Sequence, residues 1–551
     1  MSTTKPPASS TLGDLLDELV TRYPSKEFII YQDQRITYGD FKKQVDTLAL
    51  SLIHLGIIPG DRVALLAPNR PEWLIATFAI AKIGAITTAI STFSTSSELT
   101  WALRHCGATC LITIPSFKGN EFLKTIKSLS TGSPNENSRS LDIEQLPNLK
   151  FIISIDSVTE NLAIAWNDCF NYSENISMTV LKDRQKDVSE DDLCYILYTS
   201  GSTAEPKGVT LAHGRVIANG YDIGERQNLN NNDRLWFAIP LFWSFGSANA
   251  LPAIMSHGGC IVLQESFEPD AAIELIDREQ CSVFYGMANM ARSIRESSNW
   301  SLKRFRSMRT GLTIGLPEDI KMIIDTIDAQ ELCNVYGSTE TYGNAAVCSS
   351  TDPIKLRLNS QGLPLPGMKI RTVDLETRLP LPHGQIGELT VAGYVTPGYY
   401  GSPELTANTF DKNGYFLTGD LGMVGKDGRV YFKGRLKEII KTGGVNVSPL
   451  EVEKILVQHP DIKQAFVFGI PDNQKDELVA TVIELKAGKI EDALSIISFC
   501  RKDLASYKVP SLVSFKKNED LPRTSTGKIH KPGLKQEFLK ENYFDANKSK
   551  F

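Results

Sequence analysis

Between residues 11 and 115 the apolar positions alternate between two spacings. Leu15, Leu16, Leu19 and Val20 recur at helical intervals, and the runs Phe28-Ile29-Ile30-Tyr31 and Arg35-Ile36-Thr37-Tyr38 read as paired strands. Pro59-Gly60-Asp61 signals a turn feeding a strand over Arg62–Leu66, and the run from Trp73 to Ile90 predicts a buried helix followed by a strand. Alternation of this kind predicts an α/β sheet with helices on its faces. It resumes from Asp233 to Gly343. Residues 127–148, rich in Ser, Asn and Gly, predict a flexible surface loop. After Gly362 the pattern changes to short strands broken by Gly/Pro turns, which predicts a small β-rich subdomain. The charged segment Lys433-Gly434-Arg435-Leu436-Lys437-Glu438 marks a domain boundary. Beyond it, an amphipathic helix is expected over 449–459, with Leu450, Val452, Ile455 and Leu456 on its apolar side. Strands over 464–468, 478–485 and 512–515 and a helix near 491–504 complete a compact α+β unit. The chain shows no internal repeat.

Composition narrows the class. A chain of 551 residues is too long for one core, and 42% hydrophobic with 22% charged residues is usual for a globular protein. A net charge of −5 argues against a general nucleic-acid or membrane binder. No apolar run approaches the roughly 18 residues of a membrane span. The first ten residues lack a hydrophobic signal core and read as a short disordered tail, so the nine cysteines are expected as reduced thiols in the cytoplasm. Cys106 and Cys110 are the only close pair, and seven scattered His offer no zinc-type spacing.

The chemistry starts at residue 199. The apolar run Leu193 to Tyr198 reads as a buried strand, and it delivers the chain into Thr199-Ser200-Gly201-Ser202-Thr203-Ala204-Glu205-Pro206-Lys207-Gly208. Backbone N–H groups, hydroxyls and one lysine at this density suit a chain of phosphates. The loop is not a Walker A loop, because Gly208 rather than Ser or Thr follows Lys207. A plain surface turn has the same composition.

The segment resembles the phosphate loop of the AMP-forming adenylating enzymes: acyl-CoA synthetases, peptide-synthetase adenylation domains and luciferases. Four further motifs resemble that family in its order. They are Tyr336-Gly337-Ser338-Thr339-Glu340, Tyr415-Phe416-Leu417-Thr418-Gly419-Asp420, Gly434-Arg435-Leu436-Lys437-Glu438-Ile439-Ile440-Lys441 and Leu521-Pro522-Arg523-Thr524-Ser525-Thr526-Gly527-Lys528. The resemblance runs from about Thr11 to about Leu534. It implies a large N-terminal adenylation domain over 1–436, made of α/β sheets with a small β-rich subdomain, and a small mobile α+β C-terminal domain over 437–551. Substrates and cofactors would be ATP, Mg²⁺, a carboxylic acid and coenzyme A.

The roles implied by the resemblance are specific. Thr199, Ser200, Gly201, Ser202, Thr203 and Lys207 would cradle the phosphates, and Ser338 and Gly315 would line the nucleotide. Tyr336 would pack on adenine, Gly337 would adjoin both substrates, and Thr339 would donate to the α-phosphate. Glu340 would hold Mg²⁺, a hard cation that takes oxygen ligands. Asp420 would accept both ribose hydroxyls, as an acceptor-only carboxylate can, with Arg435 beside it. Lys528 would bridge carboxylate and α-phosphate; a solvated surface lysine is its plain alternative. Lys437 would be the hinge, and Gly443-Gly444 would let the backbone approach a pantetheine arm, although a tight turn before the strand Val445–Val447 reads equally well.

The acid pocket departs from the family. Pro240-Leu241-Phe242-Trp243-Ser244-Phe245-Gly246 falls where many acyl-CoA ligases carry Pro-x-x-His-x-x-Gly, with Trp243 in place of the His. Peptide-synthetase domains put an Asp in this region to hold an amino group. None stands here, so an apolar fatty or aryl acid is expected. Trp243, Phe245 and Met287 would line the pocket with Gly337, Met287 adaptably; Trp243 as core alone is the alternative. The leading function is therefore acid–CoA ligation through an acyl-adenylate. Transfer to an acyl-carrier protein, a luciferase-like oxygenation and an inactive binding protein with this fold remain as alternatives, and a homodimer is allowed. Retention of Lys207, Glu340, Asp420, Arg435 and Lys528 together speaks against the inactive form.

Overall fold

The computed structural model describes residues 5–129, 141, 143–156, 162–199, 206–442, 445–472, 475–524 and 529–546. Packing groups the chain into two compact units: Met1–Ile370 with Val391–Phe416, and Arg371–Thr390 with Leu417–Phe551.

In the first unit, the described residues form two sheets. One has nine strands, the other seven. In the larger sheet Glu331–Tyr336, Thr310–Thr313, Val283–Tyr285, Arg234–Phe237 and Cys260–Leu263 run as parallel neighbours, and the hairpin Glu27–Tyr31/Gln34–Thr37 closes one edge. The smaller sheet is centred on Arg62–Leu66, Ile86–Ala89 and Leu193–Thr199. Near-continuous apolar runs such as Cys-Ile-Val-Leu over 260–263 suit strands buried on both faces. The helix Pro71–Lys82 is buried at every residue but Glu72, as a sequence apolar nearly all round requires. It ends on Lys82, 1% exposed, whose Nζ lies 2.9 Å from Asp17 Oδ1 and 2.7 Å from Asp46 Oδ1. Pairing is what lets an ammonium sit there. The N-terminal helix Leu12–Arg22 is also fastened by Leu12 N, which donates to His213 Nδ1 at 3.2 Å. Burial depresses the His213 imidazole to about 4.

The second unit contains most of a four-stranded sheet ordered Met368–Val373, Gly387–Gly393, Phe416–Val424, Val430–Arg435, and a five-stranded sheet around the antiparallel pair Ile462–Asp472 and Asp476–Leu485. The helix Pro449–Leu456 and the helix Ala493–Cys500 cover the latter, with Val452, Leu456, Val467, Ile483 and Ile496 in the core. The first of these helices stops three residues short of the expected end, and its buried side also carries Glu453.

The expected α/β architecture and small α+β unit are thus present. The predicted loop over 127–148 lies largely outside the described residues, and its first two residues end the helix Phe122–Ser128. All nine cysteines are free and buried. Burial pushes the thiols of eight of them up, to about 11 at Cys106 and Cys500 and to about 12 at Cys169 and Cys260. Among the described residues no helix is long and apolar enough to cross a membrane.

Candidate active site

Four segments that lie far apart in sequence converge because their strands are parallel neighbours. Pro240–Gly246 follows Arg234–Phe237, Gly286-Met287 follows Val283–Tyr285, Ile314-Gly315 follows Thr310–Thr313, and Gly337–Gly343 follows Glu331–Tyr336. All leave the carboxyl ends of the strands, the side on which open α/β sheets place their ligands.

The segment expected to line the acid pocket, Pro240–Gly246, is aromatic. Phe245 and Tyr285 have ring centroids 5.2 Å apart, Phe242 and Trp243 6.1 Å, and Phe93 and Phe242 5.9 Å. Trp243, Phe245 and Met287 are half-buried. Residues Phe245–Ala250 form a π-helical turn, a local widening often found at functional sites. Asn69 anchors this segment, although no sequence signal pointed to it. Buried at 1% exposure, it donates through Nδ2 to Ile239 O at 3.0 Å and to Gln264 O at 3.2 Å, and accepts from Leu241 N at 2.8 Å. Ser244 Oγ lies 2.9 Å from Thr339 Oγ1, so the segment after Arg234–Phe237 and the turn after Glu331–Tyr336 meet at two hydroxyls.

The turn at 337–343 is tight. Gly343 N donates to Ser338 O at 2.9 Å, and a Cβ at Gly337 would press on Gly343 O and lie 2.5 Å from Asn344 Cα. Tyr336 is 4% exposed at the end of its strand. Tyr342 OH accepts from Ala212 N at 3.0 Å and so ties the turn to the strand Lys207–Ala212.

That strand pairs antiparallel with Leu193–Thr199, in a register that sets Thr199 opposite Lys207. Ser200, Gly201, Ser202 and Thr203 lie outside the described residues. The segment Thr396–Tyr400 braces the strand from its other side. Tyr400 N donates to Gly208 O at 2.8 Å, Thr210 Oγ1 to Gly398 O at 2.7 Å, and Thr396 Oγ1 to Thr210 O at 2.7 Å. The same segment reaches Glu340: Thr396 N donates to its carbonyl at 2.7 Å, and Tyr399 OH to its carboxylate Oε1 at 2.9 Å. Lys207 Nζ stands 5.2 Å from the centroid of the Tyr399 ring. Burial and the Glu340 carboxylate push the Tyr399 phenol up, which keeps it a proton donor.

In the second unit Asp420 and Arg435 face each other across adjacent strands, Oδ1 to Nη1 2.9 Å. Asp420 is 3% exposed. Gly419 takes φ +69° beside it, and its N donates to Glu388 Oε1 at 3.0 Å. Lys437 is exposed in a short 3₁₀ turn, Leu436–Glu438. Gly443, Gly444 and Lys528 lie outside the described residues. The ends of the Lys528 loop are paired: His530 N donates to Pro522 O at 2.8 Å, and Arg523 bridges Ile529. Lys531 beside it reaches Glu453 Oε1 at 2.8 Å and Glu438 Oε2 at 3.3 Å, a cluster the sequence did not announce.

The model of the AMP-binding enzyme family matches residues 16–400, and that of its C-terminal domain matches residues 451–528. The chain belongs to the AMP-binding enzymes. Among its curated relatives, the YngI protein of Bacillus subtilis is 31% identical, over 96% of this chain and 97% of its own length. The mitochondrial medium-chain acyl-CoA ligase ACSF2 of Mus musculus is 30% identical, over 96% of this chain and 88% of its own. In fold this AMP-binding enzyme is similar to the anthranilate CoA ligase AuaEII in complex with anthranoyl-AMP. The TM-score is 0.81 at 24% identity, covering 96% of this chain and 98% of that one. ATP-bound MatB of Rhodopseudomonas palustris superposes with a TM-score of 0.79 at 24% identity, covering 96% and 99%.

Proposed function

We propose that the acid this enzyme activates is apolar, a fatty or an aryl acid. The enzyme is an AMP-forming acid–CoA ligase: it converts a carboxylic acid to its adenylate and passes the acyl group to coenzyme A. The observation that carries the substrate reading is the aromatic wall of Phe93, Phe242, Trp243, Phe245 and Tyr285, joined to the nucleotide turn through Ser244 and Thr339. Residues 240–250 contain no charged side chain, and an unpaired ammonium buried there would cost several kcal/mol. The name of the mouse relative, a medium-chain acyl-CoA ligase, favours the aliphatic option.

In the adenylation step an oxygen of the acid attacks the α-phosphorus of ATP, a P–O bond forms, and pyrophosphate leaves with its bridging oxygen. Two anions must be brought together, so positive charge and donors are required between them. Lys207 and Thr199 at the two ends of the phosphate loop, with the hydroxyl of Thr339, supply them, and Lys528 is assigned the bridge between carboxylate and α-phosphate. Gly315, Tyr336, Gly337 and Ser338 border the nucleotide, while Asp420 and Arg435 hold the ribose. Among the described residues no group of three His, Cys, Asp or Glu could hold a metal by itself. One carboxylate, Glu340, suits Mg²⁺, which is carried largely by phosphates and water. When bound there, Mg²⁺ would offset phosphate charge.

In the second step the CoA thiol sulfur attacks the acyl carbon and AMP leaves with the bridging oxygen. Residues 437–551 are assigned to a domain that turns about Lys437 between the steps and presents Gly443-Gly444 to the pantetheine arm. The nine free cysteines favour the cytoplasm. A pyrophosphate-release screen over fatty, aryl and α-amino acids, with CoA or with a phosphopantetheinyl carrier protein, tests the reading. The expected result is release with apolar acids and turnover with free CoA. Robust exchange with an α-amino acid and none with any apolar acid would overturn it.

A further inference from the structure

The segment Thr396–Tyr400 belongs to none of the five motifs, yet it touches two of them. Its backbone zips onto the strand that begins at Lys207, with Tyr399 opposite Val209. Its Thr396 N–H holds the main chain of Glu340. Gly398 takes φ +152°, and a Cβ there would lie 2.5 Å from Thr406 Cγ2, so a glycine is what lets the segment pass beside Thr406. Tyr399 is 8% exposed. Among the described residues its hydroxyl is the one hydrogen-bond donor to the Glu340 carboxylate, and its ring face lies beside Lys207 Nζ. One side chain therefore meets both the carboxylate assigned to the cation and the ammonium assigned to the phosphates.

We infer that Tyr399 is a positioning residue for adenylation, its phenol holding Oε1 of Glu340 so that the carboxylate is ordered for the phosphate-borne cation, and its ring fixing the ammonium of Lys207. This rests on the role proposed above for Glu340. A freely rotating carboxylate would have to be ordered each time nucleotide binds; an outer hydrogen bond removes that cost and fixes which oxygen remains for the metal. The aromatic face attracts Lys207 electrostatically without neutralising it, so the full positive charge stays available to phosphate oxygens. A tyrosine serving only as packing would be replaced by phenylalanine without effect on metal binding.

The test uses the full chain with Mn²⁺ as the probe and α,β-methylene-ATP as a non-reacting nucleotide, and follows free Mn²⁺ by electron paramagnetic resonance. Tyr399→Phe keeps the ring and removes the donor. It should weaken Mn²⁺ binding to the enzyme–nucleotide complex by about tenfold or more, leave metal-free nucleotide affinity within about twofold, and raise the Mg²⁺ concentration needed for pyrophosphate exchange. Tyr399→Leu should weaken metal-free nucleotide binding as well. Glu340→Gln is the control and should lower Mn²⁺ affinity at least as far as Tyr399→Phe. Wild-type Mn²⁺ affinity in Tyr399→Phe, with Glu340→Gln weakened, overturns the inference and leaves the metal role of Glu340 standing. Wild-type affinity in both removes that role, and this inference with it. Tyr399→Phe fills the same space, so it keeps the test decisive even if Tyr399→Leu fails to fold.

Discussion

Asp420→Ala would separate nucleotide binding from folding, because its partner in the fold is Arg435 and the partner proposed for it in the complex is the ribose. Its carboxylate is almost fully buried, with Arg435 Nη1 2.9 Å away. The Arg435 side chain is 49% exposed. Removing Asp420 therefore leaves a cation that water can solvate, so the loss resembles that of an exposed ion pair, about 1 kcal/mol or less. Melting should fall by no more than roughly 2–4 °C. On the ligand side, a carboxylate accepting both ribose hydroxyls makes two charge-assisted hydrogen bonds, each worth about 1.5–3 kcal/mol. Taking the low value for each gives about 3 kcal/mol, roughly a hundredfold in ATP affinity. The assay is pyrophosphate exchange at varied ATP and fixed acid, then the converse, beside a melting curve. KM for ATP should rise by about two decades, with KM for the acid nearly unchanged. An unchanged KM for ATP, or an acid KM rising in step with it, would refute the ribose assignment.

Three further outcomes follow from the geometry. Gly337→Ala places a methyl against the backbone of Gly343 and Asn344, which cannot move aside without displacing Thr339 and Glu340; exchange should fall by at least about tenfold at wild-type fold content, judged by circular dichroism. Lys82→Met removes the buried cation of Asp17 and Asp46 and leaves them the half-buried Lys42; it should cost about 1–3 kcal/mol, read as a lower denaturant midpoint with unchanged exchange per folded molecule. His213 is held neutral by burial, with an imidazole at about 4 against 6.5 when free. Its contribution to stability is therefore complete above pH 6.5 and is lost as pH falls toward 4, by up to about 3 kcal/mol. Protonation would also remove the acceptor for Leu12 N, so chemical denaturation from pH 7 to 4.5 should show a slope that His213→Gln flattens. An equal slope in both proteins would assign the acid sensitivity to other groups.

Much of this was legible because the signals were local. The hairpin Glu27–Tyr31/Gln34–Thr37, the strand Arg62–Leu66 and the buried helix Pro71–Lys82 follow from apolar spacing within a few residues. Thr339, Asp420 and Arg435 stand in the short patterns that carry the family resemblance, and the structure sets Asp420 against Arg435. The contacts that organise the site were not legible. Tyr399 meets Lys207 and Glu340 across 192 and 59 positions of chain, and a Thr-Pro-Gly-Tyr-Tyr stretch on its own reads as a turn. Asn69 could not be matched to Leu241 without the sheet order that brings them together. Glu453 lay on the face read as apolar, and only its pairing with Lys531 and Val467 N explains its burial there.

The burial of all nine cysteines bears on how the enzyme avoids modifying itself. An acyl-adenylate is made to be captured by a thiol, and it does not distinguish one thiolate from another. A thiolate on the protein surface would compete with coenzyme A and would end each encounter as a dead acyl-protein. Here every cysteine is enclosed, and at eight of them burial favours the protonated form, so the nucleophile must arrive with the substrate. The same property makes the chain a quiet background for labelling: a single cysteine introduced at an exposed position would be the sole site to react with a maleimide.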